Sequence, residues 1–420
     1  MAQPETAPKE GSRKRARVRQ RRWLNTWSGL ILGLLGLVVS ISSFCVSCSN
    51  TRRLARNETV VQRSEVDRQL DEAWDLLSGG DGSAEATRFP LASGQLEKAR
   101  RLIEDQALNK MPNYPRAHRL HGDYLRAARR LDDAVADYRL AAHLDPEDAA
   151  THNNLAIALG EKGDLAAALV AYGRALELAP NNSAVRCNRG VAYANLARFD
   201  EALVDFREAA RRNPISARIL VNLAAALAQE GRTDEAIDFA ERAAELEPGN
   251  SACFRVLGDA LANAKRWEEA LAQYQRATGI QSSDASAANN LGAAFLALGR
   301  NEEALSALAQ AVAAAPDDAF PRGNQGVAQL RLGRPNEAER SFRWVIDAQT
   351  RLALPPMVVA AAHFNQAALL AAQGRSAEAA SARQRAVQLD STLRDRETAV
   401  LVVLREMGEP ESALISSGPR

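Results

Sequence analysis

The feature that most constrains the fold is a 34-residue spacing, on which the same residue types recur through most of the chain. The most regular row is alanine, at Ala134, Ala168, Ala202, Ala236, Ala270, Ala304 and Ala338. A second alanine row follows at Ala141, Ala175, Ala209, Ala243, Ala277 and Ala311. Small residues form a third row, at Gly122, Ala156, Gly190, Ala224, Gly258, Gly292 and Gly326. A sustained period of this length is typical of solenoids, in which similar units stack on one another.

Each unit reads as two helices. Apolar residues at helical spacing form two runs, separated by a glycine such as Gly163, and prolines such as Pro146 and Pro180 end the second run. An aromatic row lies between the alanine rows, at Tyr138, Tyr172, Phe206, Tyr274 and Phe342, with Phe239 one place off. We expect the small residues to bring the two helices of a unit together and the aromatic rings to fill the space between units.

These rows resemble the tetratricopeptide repeat (TPR) family. Counted from Pro115, the pattern has a small residue at position 8, Ala at 20, Tyr or Phe at 24, Ala at 27 and Pro at 32. Complete repeats, here numbered 1 to 7, begin at residues 115, 149, 183, 217, 251, 285 and 319. An eighth begins at residue 360, after an insertion near 352–358 that we expect to form a surface loop. The resemblance implies an all-α fold, a TPR helix-turn-helix solenoid (superhelix) over residues 115–393.

The flanking regions complete this organisation. Residues 65–112 predict a degenerate first repeat, because apolar residues at helical spacing occur over Val66–Leu77 and Leu96–Leu108. Residues 394–407 predict a capping helix, and residues 408–420 a tail. Composition agrees with an α-helical array, since the chain is 46% hydrophobic but only 5% aromatic, and alanine favours helices.

The amino terminus predicts a membrane anchor. Residues 1–26 carry a net charge of +6, and the stretch that follows, 27–46, contains no charge. A helix of that length spans a bilayer, so residues 27–48 are predicted to be a transmembrane helix. The excess of basic residues before it predicts a single-pass protein with a cytoplasmic N-terminal segment and an extracytoplasmic repeat domain. A cleaved signal peptide and a nucleic-acid-binding or nuclear-import segment are the alternatives for this region.

Three further inferences concern this region and its setting. Gly29 and Gly33 have the spacing that lets two membrane helices pack closely and form a homodimer, although glycine is common in membrane helices in general. Arg outnumbers Lys 47 to 6, which is typical of a high-GC bacterium and suggests the bacterial inner membrane. The net charge of +1 for the whole chain argues against nucleic acid as a partner.

One polar row suggests how partners are bound. Six repeats have asparagine at position 6, here called the asparagine row: Asn154, Asn188, Asn222, Asn290, Asn324 and Asn365. In the TPR family the first helix of each repeat (helix A) lines the concave face, and the row is similar to the asparagine ladder of O-linked N-acetylglucosamine transferases. The resemblance implies binding of an extended peptide through its backbone. The alternatives are that asparagine only joins neighbouring helices or was inherited when the repeats duplicated.

Charged residues on helix A predict a mild preference for acidic segments, and the alternative is that they are solvated surface charges. Arg119 and Arg255 are the predicted binding residues of this kind. The family's two-carboxylate clamp for chaperone tails is not predicted, because Asp123 and Ala184 stand where Asn and Lys are expected.

The sequence contains no phosphate-binding glycine loop, nucleophile elbow or paired-carboxylate motif, so no enzymatic activity and no cofactor are predicted. His118 and His121 lie one helical turn apart but lack a third ligand at suitable spacing, so no metal site is predicted. Four cysteines in 420 residues exclude a disulfide-stabilised scaffold.

The sequence therefore predicts a membrane-anchored scaffold that binds extended protein segments and assembles an envelope protein complex. One alternative is a cytosol-facing TPR receptor on an organelle membrane, for import or chaperone docking. Another is a non-catalytic subunit of a transferase complex.

Overall fold

The computed structural model describes residues 60–78 and 93–394, and the regular structure in these two ranges is helical throughout. Helix α1 covers residues 60–77, and helix α2 (Ser93–Arg100) continues into a π-helix over Arg101–Leu108. Sixteen helices follow as eight antiparallel pairs, each pair forming one repeat from helix A and helix B. The pairs are α3 (Pro115–Ala127) and α4 (Leu131–Leu144), α5 (Ala149–Glu161) and α6 (Leu165–Leu178), α7 (Ser183–Asn195) and α8 (Phe199–Arg212), α9 (Ala217–Gln229) and α10 (Thr233–Leu246), α11 (Ser251–Asn263) and α12 (Trp267–Ile280), α13 (Ala285–Ala297) and α14 (Asn301–Ala314), α15 (Ala319–Arg331) and α16 (Pro335–Leu352), and α17 (Pro356–Ala372) and α18 (Ser376–Leu389).

In repeats 2 to 7, the start of helix A is fixed by a capping side chain at the last position of the preceding repeat. The Asp148 carboxylate accepts from the Ala150 backbone N–H at 3.1 Å, and the Asn182 carbonyl oxygen accepts from the N–H groups of Ala184 and Val185. The other capping residues of this row are Ser216, Asn250, Asp284 and Asp318. Such caps satisfy backbone donors that have no partner within the helix.

The turn between helix A and helix B has one residue in the left-handed region in every repeat. Glycine takes this position in five repeats, at Gly163, Gly231, Gly299, Gly333 and Gly374, with φ between 71° and 89°. Repeats 1, 3 and 5 place Arg129, Ala197 and Lys265 there, with φ of 61°, 56° and 60°. The same turn therefore forms without glycine, although a side chain makes it less favourable.

In repeats 1, 3, 5 and 7, the aromatic residue at repeat position 24, on helix B, packs directly on the glycine at repeat position 8, on helix A. A Cβ atom added to Gly122 would lie 2.6 Å from Cε1 of Tyr138, and one added to Gly326 would lie 2.4 Å from Cε1 of Phe342. Both rings are fully buried. The expectation that the small row brings the two helices together is supported, whereas the rings lie against their own helix A rather than only between repeats.

The insertion near 352–358 does not form a surface loop. The extra residues lengthen helices α16 and α17 to 18 and 17 residues, compared with 13 or 14 residues in helices such as α3 and α4. The connection is short because α16 ends at Leu352, Ala353 has a left-handed φ of 49°, and Pro356 begins α17. Pro356 suits the first turn of a helix, where its missing N–H is not needed.

The apolar core runs along the array, as stacking of repeats requires. One cluster of buried residues extends from Cys187 in α7 to Leu369 in α17, and another joins α3 to α7. Helix α1 and the 93–108 helical segment pack with α3 in one buried cluster, which includes Val66, Leu70, Ile103 and Leu120. The two predicted helices of the degenerate unit therefore extend the array at its amino-terminal end.

Several predictions concern residues outside the described ranges. The predicted transmembrane helix over 27–48, with Gly29 and Gly33, lies outside them, as does nearly all of the predicted capping helix over 394–407 and the whole 408–420 tail. Among the helices of residues 60–78 and 93–394, none has the length and apolar character needed to span a bilayer.

Candidate interaction surface

The asparagine row lies on the helices A, and its side chains are at most 5% exposed. Each amide that has a described partner bonds to the preceding repeat. Asn188 Nδ2 donates to Asn153 Oδ1 at 3.3 Å, and Asn324 Nδ2 donates to Asn289 Oδ1 at 2.9 Å. These bonds show that the row joins neighbouring helices, as one of the alternatives holds. Its peptide-binding role stays a prediction.

Asp123 in repeat 1 binds Asn154, the member of the asparagine row in repeat 2. Its Oδ1 atom accepts from the Tyr138 hydroxyl at 2.6 Å and from Asn154 Nδ2 at 2.9 Å. Burial raises the pKa of the Asp123 carboxyl and raises the pKa of the Tyr138 hydroxyl well above its usual range. The sequence analysis named Asp123 only as a departure from the chaperone-tail clamp. The signal available was an Asp at position 9 in a repeat that also has a Tyr at position 24.

Asp259 occupies the equivalent place in repeats 5 and 6. Its Oδ1 atom accepts from the Tyr274 hydroxyl at 2.7 Å and from Asn290 Nδ2 at 2.9 Å. Arg255, one of the predicted binding residues, lies beside it, with Nη1 3.7 Å from Asp259 Oδ2 and Nε 3.9 Å from Asp284 Oδ2. These distances allow charge attraction but exceed those of hydrogen bonds.

Arg119, the other predicted arginine, is only 7% exposed. Its Nε atom lies 3.3 Å from Asp148 Oδ2, yet Nε and Nη1 are both buried without a hydrogen-bond partner. Arg126, two turns further along α3, donates from Nη1 to Glu161 Oε1 at 3.3 Å. Burial raises the pKa of the Glu161 carboxyl in spite of this arginine. A buried donor without a hydrogen bond, such as Nη1 of Arg119, is unfavourable.

The middle of the surface is less charged. Arg218 is 3% exposed and donates from Nη1 to Asn188 Oδ1 at 3.3 Å. Asn222 Nδ2 donates to the Cys187 sulfur at 3.4 Å. Cys187 and Cys253 are buried, and neither forms a disulfide. Asn365 in α17 is also buried, at 2% exposure.

His118 and His121 bind to one carboxylate instead of pointing at a common vacant position. Both rings face Asp137, at 3.1 Å for His118 Nδ1, while Pro112 O accepts from His118 Nε2 at 2.8 Å and Glu104 Oε1 faces His121 Nε2 at 3.0 Å. A neutral imidazole has one N–H, so all these oxygens are bound only when both rings are protonated. Among residues 60–78 and 93–394, no group of three metal-ligating side chains is arranged to hold a metal ion.

The pKa values follow from these contacts. The hydrogen bond with Asp137 raises the pKa of His118. Burial lowers the pKa of His121, but its bonds with Asp137 and Glu104 outweigh burial and leave the pKa raised. Burial likewise opposes ionisation of Asp137, yet the two histidines lower its pKa to about 2. This cluster joins the 101–108 helix, α3 and α4, so it fixes the degenerate unit on the array.

Family models support the repeat assignment. Models described as tetratricopeptide repeat match residues 91–149, 149–182, 187–251, 283–351 and 324–393, and a model described as TPR repeat matches residues 258–299. Among curated proteins, none matches the sequence.

Solved structures with a similar fold include yeast Tom70, with a TM-score of 0.50 and 19% identity over 79% of this chain and 66% of that chain. The Cut9–Hcn1 hetero-tetramer of the APC/C has a TM-score of 0.51 and 17% identity, over 70% of this chain and 52% of that one. A tetratricopeptide repeat protein from Parabacteroides merdae ATCC 43184 has a TM-score of 0.48 and 16% identity, over 56% of this chain and 92% of that chain. At these identities the likeness concerns the fold alone.

Proposed function

The chain is a tetratricopeptide-repeat protein, and on that basis we propose that it is a scaffold that binds an extended segment of another protein along its helices A. Tetratricopeptide repeats expose a long curved surface rather than a closed cleft, and extended surfaces of this type suit protein partners. In this proposal the protein has no catalytic activity and needs no cofactor. Any reaction in the assembled complex belongs to a bound partner.

The observation that carries the proposal is the ordered asparagine row. An amide offers two donor hydrogens and two acceptor positions. In Asn154, Asn188 and Asn290 the side-chain oxygen accepts from Asn153, Arg218 and Asn289, and Nδ2 donates to the preceding repeat. These bonds fix the amide plane, so less conformational entropy is lost when the same group contacts a ligand. Because the backbone of any extended segment offers alternating N–H and C=O groups, a row of oriented amides binds it independently of its side chains.

The proposal also places the scaffold at a membrane. The basic segment 1–26 and the uncharged span from residue 27 support an anchor whose amino terminus is cytoplasmic, with the array on the other side. Close packing at Gly29 and Gly33 would then pair two copies through the anchor. The complex assembled in this way belongs to the bacterial envelope in our proposal.

Partner binding is tested by a triple variant, Asn188→Ala, Asn222→Ala and Asn290→Ala, in protein purified from solubilised membranes. We expect crosslinked partner to fall while the far-UV circular dichroism spectrum stays that of a helical protein. The matched control replaces Asn181, Asn213 and Asn336 by Ala, since these lie outside the row. Equal capture by the triple variant and by the control would contradict a role of the row in binding.

Topology is tested separately with reporter fusions after residue 60 and at the C-terminus. An enzyme that is active only outside the cytoplasm and a fluorescent protein that folds only inside are used in parallel. We expect the extracytoplasmic reporter to be active at both points. Cytoplasmic signal at both points would instead favour the cytosol-facing receptor.

A further inference from the structure

The polar network of repeats 1 to 3 occurs a second time in repeats 5 to 7. A longer spacing of four repeats is superimposed on the single-repeat spacing. It separates Arg119 from Arg255. Arginine stands at position 5 only in repeats 1 and 5, and asparagine stands there only in repeats 2 and 6. Aspartate stands at position 9 only in repeats 1 and 5, whereas the other repeats have Ile157, Val191, Ala225, Ala293, Val327 and Ala368.

The two occurrences share their composition. The first network, here called site 1, consists of Arg119, Asp123, Tyr138, Asp148, Asn153, Asn154 and Asn188. The second, site 2, consists of Arg255, Asp259, Tyr274, Asp284, Asn289, Asn290 and Asn324. Each member of site 2 follows its counterpart by the same interval of four repeats. The repetition of single-repeat features does not produce this pattern, because the intervening repeats lack the arginine and the aspartate.

The two sites also share their hydrogen bonds. The tyrosine hydroxyl lies 2.6 Å from the aspartate in site 1 and 2.7 Å in site 2, and the asparagine at position 6 of the next repeat lies 2.9 Å from it in both. The two adjacent asparagines bond to each other at 3.2 Å in both sites. A third asparagine, one repeat further on, donates to the first at 3.3 Å in site 1 and 2.9 Å in site 2.

Site 1 contains buried polar atoms that lack a hydrogen bond. Nη1 of Arg119 and Oδ2 of Asp123 are buried without a hydrogen bond, and Nε of Arg119 meets only Asp148 Oδ2, as an ion pair at 3.3 Å. The arginine side chain is more than nine-tenths buried. An unsatisfied buried guanidinium is unfavourable, and an acceptor supplied by a ligand would satisfy it. The best partner for the planar guanidinium group is a carboxylate, which accepts two parallel hydrogen bonds.

We propose that sites 1 and 2 are two equivalent binding sites, each of which takes one acidic side chain of an extended polypeptide, so that one array binds two copies of the same motif. The inference rests on the proposed function and specifies its partner. The arginine receives the carboxylate, and the asparagines hold the backbone on either side of it. The buried aspartate and tyrosine orient these groups. The partner therefore carries the motif twice or binds as two chains.

The probe is an acetylated and amidated dodecapeptide of alternating glutamate and serine, titrated into the full-length protein in detergent by calorimetry. We expect two molecules of peptide per chain for the wild type. Arg119→Gln and Arg255→Gln should each reduce the stoichiometry to one, and the double variant should weaken binding about 10- to 100-fold or more. Arg119→Lys and Arg255→Lys should retain part of the affinity, because they keep the charge without the planar geometry.

Matched controls are Arg242→Gln and Arg276→Gln, which change exposed arginines on helices B, and a neutral peptide of alternating glutamine and serine. Circular dichroism checks that each variant is folded. A stoichiometry of one in the wild type, or binding that neither arginine variant changes, overturns the inference. So does binding of the neutral peptide as tightly as the acidic one, or no binding of either peptide.

Failure of this inference and failure of the proposed function are distinguishable in the same preparations. If the acidic peptide does not bind but partner capture still depends on Asn188, Asn222 and Asn290, the scaffold proposal stands and the two acidic sites do not. If partner capture is also independent of these three asparagines, both the two acidic sites and the proposed binding role of the helix A surface are wrong.

Discussion

Replacing Gly190 with alanine tests how closely the two helices of a repeat approach. A Cβ atom at this position of α7 would lie 2.7 Å from Cε1, 2.9 Å from Cδ1 and 3.1 Å from Cζ of Phe206 in α8. Carbon atoms in favourable contact are about 3.5–4.0 Å apart. Phe206 is fully buried, so its ring has no solvent-filled space into which it could withdraw. The helices must therefore separate or the ring must leave its preferred rotamer.

Two effects of opposite sign determine the result. Alanine is favoured over glycine inside a helix by about 1 kcal/mol. Overpacking a well-packed core by one methyl group costs about 1–3 kcal/mol. We expect Gly190→Ala to lower the free energy of unfolding by about 1 kcal/mol. The matched control is Gly173→Ala in α6, where an added Cβ meets nothing within 4 Å, and we expect it to raise stability by about 0.5–1 kcal/mol.

The assay is urea denaturation followed by far-UV circular dichroism, with wild type and both variants compared at one protein concentration. A second comparison introduces Gly190→Ala together with Phe206→Ala, which copies the natural pair of Ala224 and Ala240 in repeat 4. In that background the alanine at 190 should be stabilising. If Gly190→Ala is as stable as the Gly173→Ala control in the wild-type background, the ring does not limit helix approach and the reasoning is refuted.

Three further predictions concern local features. The raised pKa values of His118 and His121 should make the junction between the degenerate unit and repeat 1 most stable below about pH 6.5, the pKa of unfolded histidine. That stability should be lost as pH rises through the pKa values of the folded state. Hydrogen exchange in α1, measured as a function of pH, tests this. Changing both His118 and His121 to Asn should remove the pH dependence of the exchange. Ala197→Gly should raise stability by about 1 kcal/mol because it relieves a left-handed backbone, and a lower thermal midpoint would argue against this. Asn182→Ala should lower stability by about 1 kcal/mol by removing the cap of α7, as measured by urea denaturation, and an unchanged midpoint would show that the cap is dispensable.

The repeat boundaries could be read from the sequence because they depend on local chemistry. Capping residues such as Asn182 and left-handed turn glycines such as Gly163 act within a few residues of their own position. Seven repeats also share one 34-residue spacing, so the boundaries of one repeat predict those of the next. The two helices of the degenerate unit lie where their apolar spacing predicted them, since that pattern is likewise local.

Other features depended on contacts between distant residues and could not be read in this way. The insertion near 352–358 was expected to form a loop, but Pro356 in the first turn extends α17 toward its amino terminus at no loss of a hydrogen bond. The ring of Tyr138 was placed between repeats, because spacing gives the row of a side chain but not which neighbour it contacts. The bonds around Asp123 join residues up to 31 positions apart, so their presence follows only from the packed structure.

The contacts of the candidate surface likewise depend on how the helices pack. The asparagine row was visible as a spacing, and its bonds to the preceding repeat emerged only when the helices were packed together. The role of the two aspartates was missed because a single aspartate on a helix is ordinarily a solvated charge. Their meaning came from the tyrosine and asparagine that converge on each one, and those lie on other helices.

The buried thiols of Cys187 and Cys253 can report local opening of the array. A buried cysteine reacts with a thiol reagent only while its surroundings are open, so the labelling rate measures the free energy of that opening. Cys187 lies in repeat 3 and Cys253 in repeat 5, with one repeat between them. Once Cys45 and Cys48 are changed to serine, mass spectrometry follows the two sites separately in one sample. Molecules labelled at only one of the two cysteines indicate that the repeats open locally and independently. Molecules labelled at both cysteines at once indicate that the array opens cooperatively.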